Sequence, residues 1–84
     1  MPYTVDLTLS AQKQLSKLPN IIAERIEESL LELEENPRPG GCKKLKGRTA
    51  YRIRIGDYRA IYTINDTVLT VIVIKIGHRR EVYD

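Results

Sequence analysis

The sequence predicts a single α+β domain in which a helical hairpin packs on one face of a four-stranded, mostly antiparallel sheet. Three observations carry this. An alternating apolar segment opens the chain at 3–9, two segments of helical periodicity occupy 11–35, and three strand-like runs separated by short polar turns fill 49–76. The resulting order is β-α-α-β-β-β, an N-terminal strand, a helical hairpin and a three-stranded meander. At 84 residues, 42% of them hydrophobic and 30% charged, residues 1–84 form one small globular unit. Five tyrosines supply all the aromatic content, so Ile, Leu and Val must build the core.

In the first strand, Tyr3, Val5, Leu7 and Leu9 alternate with Thr4, Asp6 and Thr8, the period of a half-buried strand. Ser10 offers an N-cap to a short helix whose Ala11, Leu15 and Leu18 share a face, and Pro19 ends it. Asn20 can cap the second helix, predicted over 21–35. There Ile22, Ile26, Leu30 and Leu33 form an apolar stripe, and six glutamates fall mostly on a solvated side. Asn36-Pro37 stops it, because the residue before proline is pushed out of helical conformation. The stretch PRPGGCKKLKGRTA reads as a loop. Strands are predicted at 49–55, 58–64 and 67–76. Gly56-Asp57 joins the first two as a two-residue turn with glycine at its first central position, and Asn65-Asp66 joins the last two.

Several function classes are excluded by composition. Cys42 stands alone, so no internal disulfide is possible, and one His with one Cys makes a metal site improbable. No nucleotide-binding glycine loop or Ser/His/Asp set is visible, and no cofactor is expected. The N-terminus lacks a basic stretch followed by an apolar run. The longest apolar run, 68–76, is broken by Thr70 and Lys75 and falls far short of the roughly 20 residues of a membrane helix. A soluble, cytoplasmic protein with no membrane contact is expected. The net charge of +3 is uneven: residues 1–42 hold four basic against seven acidic residues, residues 43–84 ten against four. Such a split points to one face that meets an anion, most often nucleic acid.

The segment YRIRIGDYRAIY at 51–62 concentrates that charge. With Gly56-Asp57 as the loop, Arg54 lies opposite Arg59, and Arg52, Arg54 and Arg59 share one face. Tyr51, Ile53, Ile55, Tyr58, Ala60 and Tyr62 share the other. Like charges directly opposed are destabilising. Solvated arginines that cover the sheet with their stems are the plain alternative. The favoured reading is a preorganised anion site, since guanidinium groups stay charged and present donor pairs that match phosphate oxygens. The last strand is apolar on both alternating sets, so its second side needs cover from arginine stems or a protein partner. At the C-terminus, GHRREVYD gathers His78, Arg79, Arg80 and Tyr83. Histidine suits proton transfer near neutrality, arginine binds phosphate, and tyrosine stacks on bases.

With its element order, KKLKG at 43–47, YRIRIGDYRAIY at 51–62 and IGHRREVYD at 76–84, the chain resembles the RelE-like toxins of the RelE/ParE toxin–antitoxin superfamily over nearly its full length. The resemblance implies a ribosome-dependent endoribonuclease that cuts messenger RNA in the ribosomal A site without a metal ion, by attack of the 2′-hydroxyl on the adjacent phosphate. The family's functional residues fall on Arg52, Arg54, Arg59, Arg79 and Tyr83. Lys43, Lys44, Lys46, Arg48 and Arg80 would contact RNA phosphates. A cognate antitoxin is implied as partner, with the ribosome and messenger RNA, and a monomeric free toxin. This chain carries arginine on the strand where well-studied members carry a lysine considered as general base. Arginine, with a pKa above about 12, is a poor base, which leaves His78 as the candidate or no protein base at all. Two other functions stay open: a ParE-like inhibitor of DNA gyrase, which generally lacks the GHRREVY block, and an inactive homologue acting only with an antitoxin.

Overall fold

In the computed structural model, which describes residues 2–47 and 49–81, the first strand β1 (Thr4–Leu7) runs directly into helix α1 (Leu9–Ser16). The cap is Thr8 rather than Ser10: its extended backbone brings Oγ1 to the Ala11 N–H, 3.1 Å away. Threonine comes first in the chain, so the helix starts before Ser10 is reached, and Leu9 becomes a helical residue pointing mostly to solvent. Helix α2 (Asn20–Glu32) follows Pro19, with Asn20 inside the helix rather than capping it. It ends earlier than the predicted 35. The N–H groups of Leu33, Glu34 and Glu35 bond to carbonyls three residues back, tightening the last turn before Pro37.

Strands β2 (Lys43–Lys44), β3 (Ala50–Ile55), β4 (Tyr58–Asn65) and β5 (Thr70–His78) complete a five-stranded sheet ordered β1-β5-β4-β3-β2. Only β1 is parallel to its neighbour, β5. The α+β class and the meander stand as the sequence predicts. The fifth strand is an addition: inside the expected loop, Lys43 pairs with Arg52 and Lys44 with Tyr51. No helix among the described residues is long and apolar enough to cross a membrane.

The main core lies between helices and sheet. Ala11, Ile26, Leu30 and Leu33 meet Ile53, Ala60, Tyr62, Val71, Val73 and Ile76, each large aliphatic contributing about 1.5–3 kcal/mol on full burial. A second cluster on the opposite side of the sheet joins Leu45, Ala50 and Ile61, with Ile74 packed against it. Leu45 is held there by its N–H, which donates to the Ala50 carbonyl at 2.8 Å. That cluster supplies part of the cover needed by the second side of β5.

Two irregularities shape β5. Its entry is a four-residue loop, 66–69, not a two-residue turn at Asn65-Asp66. The Asn65 side-chain oxygen accepts from the N–H groups of Thr67 and Val68, and Leu69 takes a φ of 51°, so pairing resumes only at Asn65 with Thr70. Further along, Tyr62 pairs with Val73 but Ile61 with Lys75, leaving Ile74 as the extra residue of a bulge. Beyond the end of β1, α1 takes over the edge of β5: the Ile76 N–H donates to the Gln14 side chain at 2.7 Å.

Candidate anion-binding face

The β3–β4 hairpin sets the register of the site. Gly56 has a φ of 60°, the backbone that a turn with glycine at its first central position requires. Ile55 then pairs with Tyr58, Arg54 with Arg59, and Arg52 with Ile61. Residues directly opposite share a face, so Arg52, Arg54 and Arg59 stand together on the side away from the helices. Arg54 is exposed and its Nε donates to the Gly56 carbonyl at 3.0 Å; Arg52 and Arg59 are half-buried.

Two cross-strand rows result. The first is Arg54, Arg59 and Gly77, which puts no side chain on the β5 flank of Arg59. The second is Lys43, Arg52, Ile61 and Lys75. Lys75 was not singled out from sequence. Its signal was available: strict alternation from Val71 and Val73 would put a lysine into the core, and the bulge at Ile74 turns it outward. Beside the second row, Lys44, Leu45, Lys46, Ala50, Thr63 and Ile74 line an open concavity of about 880 Å³. Among the described residues, the only carboxylate carried by a strand on this side is Asp6, on the edge strand β1 beside Ile72.

The remaining sequence-predicted residues separate. Lys44 pairs with Tyr51, whose ring faces the helices, and Lys46 is exposed in the turn before Gly47. Arg79 is exposed just past β5, its N–H donating to the Asp57 carbonyl at 2.8 Å, which ties it to the hairpin turn. Arg80 is exposed, and its N–H donates to His78 Nδ1 at 3.2 Å. His78 is not brought to the arginines. With Gly77 opposite Arg59, the next residue falls on the helix side, where the His78 ring meets Tyr58 edge-on at 5.4 Å. The sheet therefore separates the candidate base from Arg54 and Arg59. Arg48 and Tyr83 lie outside the described residues.

At the far end of the sheet a different cationic group is neutralised. Arg38 forms a two-pronged ion pair with Asp66, the shorter contact 2.8 Å, and lies 5.3 Å over the Tyr51 ring. The Tyr3 hydroxyl donates to the same carboxylate at 2.6 Å. Arg38, with help from Tyr3, holds the Asp66 carboxyl down to about 2. Nearby, the Tyr62 hydroxyl donates to the Pro37 carbonyl at 2.8 Å, and burial, reinforced by Cys42, pushes its phenol well above the usual value. This cluster fastens the 37–42 segment that delivers β2 to the arginine hairpin.

A family model described as the ParE toxin of the type II toxin-antitoxin system, parDE, matches residues 5–83. The chain belongs to the RelE/ParE toxin superfamily. Within it the chain is similar to RelE-type toxins: Toxin RelG of Mycobacterium tuberculosis is 37% identical over 86 residues, covering 99% of this chain and 98% of that protein. Among solved structures, the toxin-antitoxin complex RelBE2 from Mycobacterium tuberculosis superposes with a TM-score of 0.85 at 33% identity, covering 94% of this chain and 93% of its counterpart. The archaeal RelE-RelB complex from Pyrococcus horikoshii OT3 gives 0.85 at 32% identity, with 98% and 100% covered. This chain is thus a RelE-like toxin of a type II system, and its arginine face lies on a sheet of RelE-like fold.

Proposed function

We propose that this RelE-like toxin is a metal-independent endoribonuclease that cuts messenger RNA in the ribosomal A site and so stops translation. The observation that carries the reading is the direct opposition of Arg54 and Arg59 on a face flanked by Gly77. Two guanidinium groups held together against their repulsion are suited to a phosphate that gains charge as it reacts. In the proposed step the 2′-oxygen bonds to the adjacent phosphorus and the bond to the 5′-oxygen breaks, leaving a 2′,3′-cyclic phosphate and a 5′-hydroxyl. Arg54 and Arg59 stabilise the phosphorane, Arg52 holds the backbone, and Arg79 serves the departing 5′-oxygen. Tyr83 stacks on the neighbouring base. Lys43, Lys44, Lys46, Arg48 and Arg80 grip RNA phosphates without reading sequence.

Since arginine cannot act as base and His78 lies across the sheet, the 2′-proton passes to solvent or to the RNA-bearing particle rather than to a side chain of this face. Naked RNA is therefore cut very weakly, the ribosome supplying its alignment. A cognate antitoxin holds the toxin inactive between uses, as the complexes of its relatives support. The free toxin is monomeric and works in the cytoplasm, where its ribosomal target is.

The matching family model carries the ParE name, which favours a second reading, noncatalytic inhibition of DNA gyrase. Primer extension on programmed ribosomes separates the two. The expected result is A-site cleavage by wild type and a loss of roughly 10²-fold or more in Arg59→Ala and in Arg79→Ala. Absence of wild-type cleavage, with toxicity retained in cells, would transfer the function to gyrase; absence of both would leave an inactive homologue.

A further inference from the structure

Among the described residues, Lys75 is the one strand cation of the outer face that the RelE-like sequence blocks do not contain, and its placement needs an explanation. It sits on β5 past the end of β1, where Gln14 of α1 already covers the strand's edge through the Ile76 N–H, so it is not needed to protect that edge, the usual task of a strand lysine. It is exposed, while its neighbours Val73 and Ile76 are in the core. An extra residue, Ile74, breaks the alternation and turns Lys75 outward opposite Ile61, in line with Arg52 and Lys43. Bulges recur beside functional sites because they re-aim a side chain in this way. The nearest strand carboxylate on that side, Asp6, is paired with Ile72 on the far edge, and the Arg38–Asp66 ion pair lies at the other end of the sheet.

We propose that Lys75 binds a phosphodiester of the RNA strand being cut, next to the one held between Arg54 and Arg59. This rests on the nuclease reading of the arginine face. The row of Lys75 and the row of Arg59 are one two-residue step apart, about 6.6 Å along the strand, comparable with the separation of neighbouring phosphates in a single strand. Gly77 leaves the β5 side of the Arg59 row without a side chain, so the RNA backbone can cross from Arg59 towards Lys75. Lysine serves here as a point charge on a flexible stem, tolerant of where the second phosphate lies.

The test combines binding and cutting. Binding of a short fluorescent single-stranded RNA is followed by anisotropy from about 50 to 200 mM salt, where each lost phosphate contact lowers the log–log slope by about 0.7. Lys75→Ala and Lys75→Gln are expected to weaken binding roughly ten-fold with that change in slope, and Lys75→Arg to restore both. A-site cleavage on programmed ribosomes is expected to follow the same order. Wild-type binding, slope and cleavage in Lys75→Ala, with Arg59→Ala defective, would overturn the role of Lys75 and leave the nuclease standing. Equal loss in Lys75→Ala and Lys75→Arg would make the residue structural and likewise overturn it. A wild type that neither binds RNA nor cuts on ribosomes would remove the nuclease and the inference together.

Discussion

Tyr62 has the bulkiest fully buried side chain among the described residues, and its hydroxyl reaches the Pro37 carbonyl. Tyr62→Phe keeps the packing but strands that carbonyl, so a loss of about 1–2 kcal/mol is expected in urea melts. Because burial raises the phenol's pKa, the folded state holds its proton while the unfolded chain releases it. The contribution is full below about 10 and declines as pH rises beyond it. Asp66 runs the opposite way. Its carboxyl is held at about 2 against an ordinary 3.8, so the contribution is present above the ordinary value and lost as pH falls towards 2. Asp66→Asn should flatten stability against pH across that interval, and an unchanged slope would mean that the ion pair does not hold in solution. His78 gives a third test at this scale. A general base contributes 10²–10⁴-fold, whereas a histidine on the helix side, packed against Tyr58, should tolerate His78→Gln with A-site cleavage within about three-fold of wild type.

Among the elements, the arginine hairpin was legible from sequence and β5 was not. Gly56-Asp57 fixes the register of β3 on β4 locally: two turn residues decide which side chains oppose, so Arg52, Arg54 and Arg59 could be assigned to one face without the rest of the molecule. Nothing equally local marks the pairing of Lys43–Lys44 with β3 or the extra Ile74. Those depend on partners 7 to 14 residues away in the chain, and the bond from Ile76 to Gln14 spans 62. The side on which His78 falls was not legible for the same reason, since it follows from the pairing of β5 and cannot be read from its neighbours. The bulge also makes a prediction of its own. Deleting Ile74 should leave Tyr62 on Val73 and Ile61 on Lys75, now in unbroken alternation. The variant should therefore fold with the outer face intact, losing about 1–2 kcal/mol from the half-buried contacts with Leu45, Ala50 and Ile61. Wholesale unfolding in a thermal melt would mean that the bulge is required for the twist of the sheet.

At the scale of the molecule, charge is sorted by layer. Six of the seven glutamates ride on α2 and the turn after it, and the strand cations other than Lys44 face away from the helices. That sorting steers an extended anion onto one side of the sheet and repels it from the other. It also stores repulsion where the hairpin is tightest, at the opposed Arg54 and Arg59. If this opposition exists for binding rather than for folding, relieving it should strengthen the fold and abolish the activity together. Arg54→Glu tests this. It forfeits one exposed hydrogen bond to Gly56 but replaces a like-charge pair with an opposite-charge pair, each change worth about 0.2–1 kcal/mol. A gain of roughly 1 kcal/mol raises Tm by about 4–8 °C in a domain of this size, and added salt should shrink the difference because it screens both the repulsion and the new attraction. The same variant should show no A-site cleavage, its glutamate repelling the phosphate that Arg54 is proposed to hold. A lower Tm would assign the arginine pair a structural task, through stems or partners that the fold needs. A higher Tm with cleavage preserved would move the phosphate site away from this row and onto that of Arg52 and Lys75.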